Sequence, residues 1–153
     1  MQLTDKKIAS TLICGVTRRN LLLTDKRDEF IIPPLNNIYF QRDNFCSIGE
    51  CISINKMKYI IRQRETLLSE FVFNTLPKYK NVKKVYSRYQ GNTIEGGDIF
   101  PYTKDTLVVG ISERTTLKAI TKLAANLKRA KTQFKQIVCI NVPKVGRLMH
   151  LDT

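Results

Sequence analysis

The chain is 153 residues long, and its 26 Lys+Arg against 13 Asp+Glu leave a formal charge of +13. That length suits one domain, and a composition of 42% hydrophobic and 25% charged residues excludes a wholly disordered chain. No apolar run reaches the ~20 residues that span a bilayer, and MQLTDKKIAS lacks the apolar centre of a signal peptide, so a cytoplasmic protein without membrane association is expected.

Residues 4–14 read as a short helix, with Thr4 as its N-cap and Ile8, Leu12 and Ile13 on one side. The polar stretch TDKRDEF follows, and Pro33-Pro34 then forces extended backbone. NIYFQRD reads as a strand, Ile38 and Phe40 alternating with Tyr39 and Gln41. A turn carrying Gly49 leads to a second strand in CISINKM, where Ile52, Ile54 and Met57 are apolar. Over residues 59–73 the period changes, and Ile60, Ile61, Leu67, Leu68, Phe71 and Val72 make a helical stripe closed by Pro77. Arg64 falls within that stripe. Either the helix starts later, or Arg64 points into a polar pocket with a partner.

A looser Lys/Tyr segment leads through VYSRYQ to IEGGDIFPYT. DTLVVGIS reads as a buried strand on Leu107, Val108 and Val109. Thr115 or Thr116 caps the next helix, whose apolar face is Leu117, Ile120, Leu123, Ala124 and Leu127. FKQIVCINV reads as another buried strand, and LMHLDT as the start of one more. Strands alternating with two amphipathic helices make the class α/β.

Cations gather in two stretches: residues 56–88 hold nine with two acids, and residues 118–147 hold eight with none. A pI near 9.8 raises nucleic acid or another anion as a partner. The cations of the second stretch sit at helix-surface spacing, and no recognition motif accompanies either stretch. A solvated face is therefore expected rather than a nucleic-acid site. Cys14, Cys46, Cys51 and Cys139 form no CxxC pair, and His150 is the one imidazole, so no metal site is expected. Cys139, inside IVCINV, reads as a small buried hydrophobe, and a disulfide framework does not suit a reducing compartment.

Three features could carry chemistry. Glu95-Gly96-Gly97-Asp98 sets two carboxylates around paired glycines, which let another group approach the backbone closely; a Gly-Gly turn with solvated acids is the alternative. His150-Leu151-Asp152, on a strand, puts imidazole and carboxylate on one face, suited to proton transfer and cation binding; a polar surface histidine is the alternative. Arg42-Asp43 ends the NIYFQRD strand, or is a surface pair worth little.

In order, NIYFQRD, RQRETLL, IEGGDIF, VVGISERT and NVPK…LMHLDT resemble the arginine deiminases, most closely the mycoplasmal type, within the pentein superfamily of guanidine-modifying enzymes. GISERT supplies Gly110, Ser112, Arg114 and Thr115 of the motif. The resemblance implies hydrolysis of L-arginine to L-citrulline and ammonia through a covalent amidino-cysteine, without metal or cofactor. It assigns the guanidinium to Asp43 and Asp152, and proton transfer to Glu95 and His150. It assigns the substrate carboxylate to Arg114 with Arg62 or Arg64, and further contacts to Asn37 and to the ring of Phe40. Asp98 joins Asp43, Glu95 and Asp152 in supplying negative charge to a pocket for L-arginine or another guanidinium compound.

The departures are as informative. The family's nucleophilic Cys lies beyond a glycine-rich segment, and none of the four cysteines here lies in a corresponding place. Asn36, Gln41 and Asn44 replace a usual Pro, Thr and Pro around Asp43. The resemblance thus implies that residues 1–153 are an internal fragment of the family's domain, lacking its N-terminal part and its catalytic-Cys segment. Its fold would be a partial pentein α/β-propeller, about two ββαβ units and the opening strand of another. The expected outcome is a truncated, inactive deiminase-like chain. One alternative is part of a split enzyme completed by a second, C-terminal chain, and another is a basic anion-binding protein.

Overall fold

The computed structural model describes residues 4–21, 29–145 and 148–153. The chain divides into two units, Met1–Tyr39 and Phe40–Thr153. In the first, helix α1 (Asp5–Cys14) starts where expected: Thr4 Oγ1 accepts the Lys7 N–H, satisfying a donor the first turn leaves open. Ile8, Leu12 and Ile13 on it are exposed. Strand β1 (Val16–Thr17) pairs antiparallel with β2 (Phe30–Ile32), which runs into Pro33-Pro34. Most of TDKRDEF lies outside the described residues.

The second unit opens on α2 (Gln41–Asn44) and then repeats one pattern twice. Strands β3 (Phe45–Ile48) and β4 (Cys51–Ile54) form an antiparallel hairpin. Gly49 lies in its turn at a φ of +60°, a conformation that glycine adopts without steric cost. Helices α3 (Ile60–Gln63) and α4 (Glu65–Thr75) then cross to β5 (Lys83–Tyr86), which lies parallel to β4. In the second half, β6 (Ile99–Pro101) pairs antiparallel with β7 (Thr106–Ile111), and α5 (Leu117–Arg129) crosses to β8 (Gln136–Asn141), parallel to β7. These are two ββαβ units, as the α/β class and the partial propeller require. Thr116 is the cap of α5, its hydroxyl accepting the Ala119 N–H.

One apolar core joins the two halves: Ile48, Val85, Ile99, Leu107, Ile120 and Leu123 belong to a single buried cluster. Each such side chain contributes about 1.5–3 kcal/mol on burial. No helix among the described residues is long and apolar enough to cross a membrane.

Four local expectations change. NIYFQRD is not a strand: 36–39 form a turn, and 41–44 a short helix. Asp43 and Asn44 are both buried, which neighbours on a strand facing a single core cannot achieve, because they point to opposite faces. The helical turn delivers both inward, where Asn55 Nδ2 donates to the Asp43 carbonyl and Ser69 Oγ to Asn44 Oδ1. The expected helix over 59–73 is broken into α3 and α4 and turned over. Of the expected stripe, Ile60, Ile61, Leu67 and Phe71 are exposed and Leu68 and Val72 half-buried, while Arg62, Glu65, Thr66, Ser69 and Phe73 face inward. Polar pairing sets that face.

Strand β8 is not buried, because it is the edge of its sheet, with Val138, Cys139 and Ile140 exposed. Cys139 is therefore no core residue. LMHLDT forms a turn instead of a strand, yet it still keeps His150 and Asp152 together.

Candidate functional site

Six segments of the second unit converge on one buried cluster. Asp43 comes from α2, Arg62 from α3, and Glu65 opens α4. Glu95 precedes the 3-10 turn Gly96–Asp98, Arg114 follows β7, and His150 comes from the final turn. Glu95 Oε2 lies 2.9 Å from His150 Nε2, 3.5 Å from Arg114 Nη1 and 3.9 Å from Arg62 Nη1. Its other oxygen accepts the Lys58 N–H at 2.8 Å. Arg62 donates to Asp43 Oδ2 at 2.8 Å and, through Nη2 and Nε, to the Glu65 carboxylate. His150 Nδ1 stands 3.9 Å from both Asp43 Oδ1 and Asp152 Oδ1, too far for a hydrogen bond and close enough for charge to be felt.

Asp98 plays a different part, since both its oxygens are engaged within the chain. Ser112 Oγ donates to one at 2.6 Å and the Leu151 N–H to the other at 3.0 Å. Ser112 Oγ in turn accepts the N–H groups of Arg114 and Thr115. Asp98 thus ties the Arg114 loop to the turn that carries His150. Gly97 leaves room for that turn: a Cβ there would sit 2.8 Å from His150 Cγ and 2.9 Å from Asp152 Oδ1.

Burial alone would lower the pKa of His150, but the Glu95 hydrogen bond and the charges of Asp43, Glu95 and Asp98 hold it above the ordinary value. Burial raises Asp98 and Glu65, against hydrogen bonds from Ser112 and Arg62 respectively that oppose it. Asp43, Glu95 and His150 could each offer one atom to a metal, all within 4.8 Å of one another. Two guanidinium groups already bring positive charge to Glu95 there. What the arrangement can do is hold a small cation and move protons between a carboxylate and an imidazole.

A family model described as arginine deiminase matches residues 16–153. This chain belongs to the arginine deiminase family. The arginine deiminase of Metamycoplasma arthritidis is 48% identical over 153 residues, covering 99% of this chain and 37% of that protein. The arginine deiminase of Metamycoplasma hominis is also 48% identical, over 93% of this chain and 35% of its own length. The chain thus spans little more than a third of the length of these relatives. Among solved structures, a variant of DDAH from Pseudomonas aeruginosa complexed with citrulline is similar at a TM-score of 0.58 and 20% identity, covering 92% of this chain and 59% of that one. That likeness is one of fold, and it agrees with a partial pentein ring.

Of the residues that resemblance to the arginine deiminases singled out, Asp43, Arg62, Glu95, Asp98, Arg114, His150 and Asp152 come together here. Arg62 carries the ion pairs to Asp43 and Glu65, while Arg64 is half-buried at the joint between α3 and α4. Phe40 opens the second unit with its ring exposed, and its carbonyl accepts from Arg62 Nη2 at 3.5 Å. Asn37 lies in the 36–39 turn of the first unit. The acids of EGGD and the imidazole of HLD are not solvated: Glu95, Asp98 and His150 are buried, as is Asp43, while Asp152 is exposed. Sequence reasoning missed Glu65, for which the spacing from Arg62 to Glu65 was the available signal, and Ser112 as a hub. Cys46 Sγ lies against Ser53 Oγ, and burial pushes its thiol up to about 11, the reverse of an activated nucleophile. Cys51 is also buried, and Cys14 and Cys139 are exposed; all four are free thiols.

Proposed function

We propose that this chain carries the guanidinium-holding and proton-transferring portion of an arginine deiminase site, on an internal stretch of the family's domain, and that the 153 residues alone turn over no arginine. The observation that carries this reading is the buried Glu95–His150 contact at 2.9 Å, ringed by Asp43, Arg62 and Arg114. Asp43 and Asp152 accept the N–H groups of a substrate guanidinium, a planar fork that carboxylates match well. His150 and Glu95 move the protons that turn a guanidinium nitrogen into ammonia. Arg62 is committed to Asp43 and Glu65, so Arg114 is the principal receptor of the substrate carboxylate. Asp98 positions the loop and the turn.

L-arginine or a related guanidinium compound is the ligand, since the carboxylates concentrate negative charge within a chain of +13. Cytoplasmic residence belongs to the same proposal, and four free thiols suit it. The chemistry that is missing is covalent. Resonance makes the guanidinium carbon a weak electrophile, and water without a thiolate meets the whole barrier in one step. A second reading, part of a split deiminase completed by another chain, is favoured by one observation: the cluster is both ion-paired and buried.

A citrulline assay tests both readings, first on the chain alone and then with a separately expressed segment carrying the family's Cys. No turnover by the chain alone is expected. Turnover by it alone, abolished by Cys46→Ser or Cys51→Ser, overturns the proposal. Turnover only in the mixture, lost in His150→Ala, establishes the split enzyme.

A further inference from the structure

The Arg114 guanidinium is held on three sides and unmet on the fourth. Nη1 reaches Glu95 Oε2 at 3.5 Å, Nη2 lies 3.3 Å from Met149 Sδ, and the guanidinium carbon sits 4.4 Å from the centroid of the Tyr59 ring. Nε is buried and has no hydrogen-bond partner among the described residues. A buried donor without an acceptor is costly, and an arriving carboxylate oxygen would relieve that cost. Tyr59 is placed firmly. Its hydroxyl donates to Glu113 Oε1, its carbonyl accepts the Arg62 N–H at 3.0 Å, and the preceding Lys58 N–H is pinned to Glu95.

We propose that Tyr59, locked by Glu113, is the positioning residue that holds Arg114 as a carboxylate receptor and so sets a preference for arginine over guanidinium compounds without a carboxylate. This rests on the arginine-site reading above. The physics is a competition for one guanidinium. Left to itself, Arg114 would close on Glu95, a full negative charge at the edge of hydrogen-bond range, and would neutralise the group that His150 needs. The aromatic face offers a rival attraction from the other side, and the hydroxyl anchor stops the ring from turning away. Arg114 then stays short of a tight pair with Glu95, its Nε–H available to a carboxylate oxygen.

Calorimetry on the full chain tests this with two probes, L-arginine and agmatine, which is arginine without its carboxylate. The intact chain is expected to bind arginine more tightly than agmatine. Tyr59→Leu should weaken arginine about tenfold and leave agmatine within about twofold, erasing the preference. Tyr59→Phe keeps the ring and should retain most of it, and Glu113→Ala should fall between. Nitrogen-15 spectra supply a readout without ligand. The Arg114 Nε–H resonance, assigned by its loss in Arg114→Lys, should carry a ring-current shift that persists in Tyr59→Phe and disappears in Tyr59→Leu. If Tyr59→Leu loses that shift and keeps the arginine preference, the proposed role is wrong while the arginine site stands. If the intact chain binds neither probe, the arginine-site reading falls and this role falls with it.

Discussion

His150 shows how a site can reverse the usual effect of burial on an imidazole. Desolvation disfavours its charged form, yet Glu95 in hydrogen-bond contact and Asp43 and Asp98 nearby make the cation the favoured state. Because the folded pKa lies above the unfolded value of about 6.5, the stabilisation is full below that value and is lost as pH rises through the folded one. Asp98 and Glu65 act in the same direction, since burial raises both and the folded chain holds their protons more tightly than the unfolded chain does. This is the reverse of an ordinary salt-bridged carboxylate. The chain has a single histidine, so its ring protons can be followed directly in a proton NMR titration. The expected midpoint lies above 6.5, with thermal stability declining through the same pH range and that decline flattened in His150→Gln. A midpoint below 6.5 would mean that burial wins and the carboxylates do not reach the ring. At this scale the motif residues were legible, because EGGD, SERT and HLD are dense in unusual side chains. Glu65 and Tyr59 were not. An acid in the first turn of a helix and a tyrosine before one have ordinary local explanations; spacing hints at the Arg62 pair of Glu65, but the partners of Tyr59 are visible only in three dimensions.

At the scale of elements, periodicity identified helices and strands more reliably than it identified their faces. The stripe through Ile60, Ile61, Leu67 and Phe71 is real, but the face turned inward is the one with Arg62, Glu65 and Ser69, because each has a buried partner on α2 or within the cluster. The run IVCINV has the residue types of a central strand, and sequence cannot tell a strand flanked on both sides from one that ends its sheet. In this chain β8 ends it. The four thiols make the difference measurable. Brief alkylation with iodoacetamide near pH 8, read by mass spectrometry, should modify Cys139 on β8 and Cys14 on α1 well before Cys46 and Cys51. Cys46 should be slowest, being enclosed and pushed up to about 11. Equal rates at Cys46 and Cys139 would show that the β3–β4 hairpin opens as readily as the edge strand.

For the molecule as a whole, the two ββαβ units bury a shared core and yet leave large apolar side chains in water on several elements. Exposed groups include Ile8 and Leu12 of α1, Ile60 and Ile61 of α3, Phe71 of α4, and Val138 and Ile140 of β8. Strand β8 combines these with an outer edge that no strand among the described residues pairs and no charged residue along its length, which makes it a template for another strand. A partial propeller of the kind the resemblance implies leaves strand edges without partners. Opposing association is a net charge of +13, whose self-repulsion acts over about 10 Å at 0.1 M salt and about 3 Å at 1 M. The isolated chain is therefore expected to self-associate in size-exclusion chromatography, more so as salt rises, because screening removes the repulsion and leaves the apolar contacts. Amide exchange on the same samples should show β8 less protected than β7, which has a neighbour on each side. A sharp peak at the 17.7 kDa monomer at both salt concentrations, with β7 and β8 equally protected, would refute this. The exposed faces would then be tolerated as solvent surface, and incomplete closure would cost the fold little.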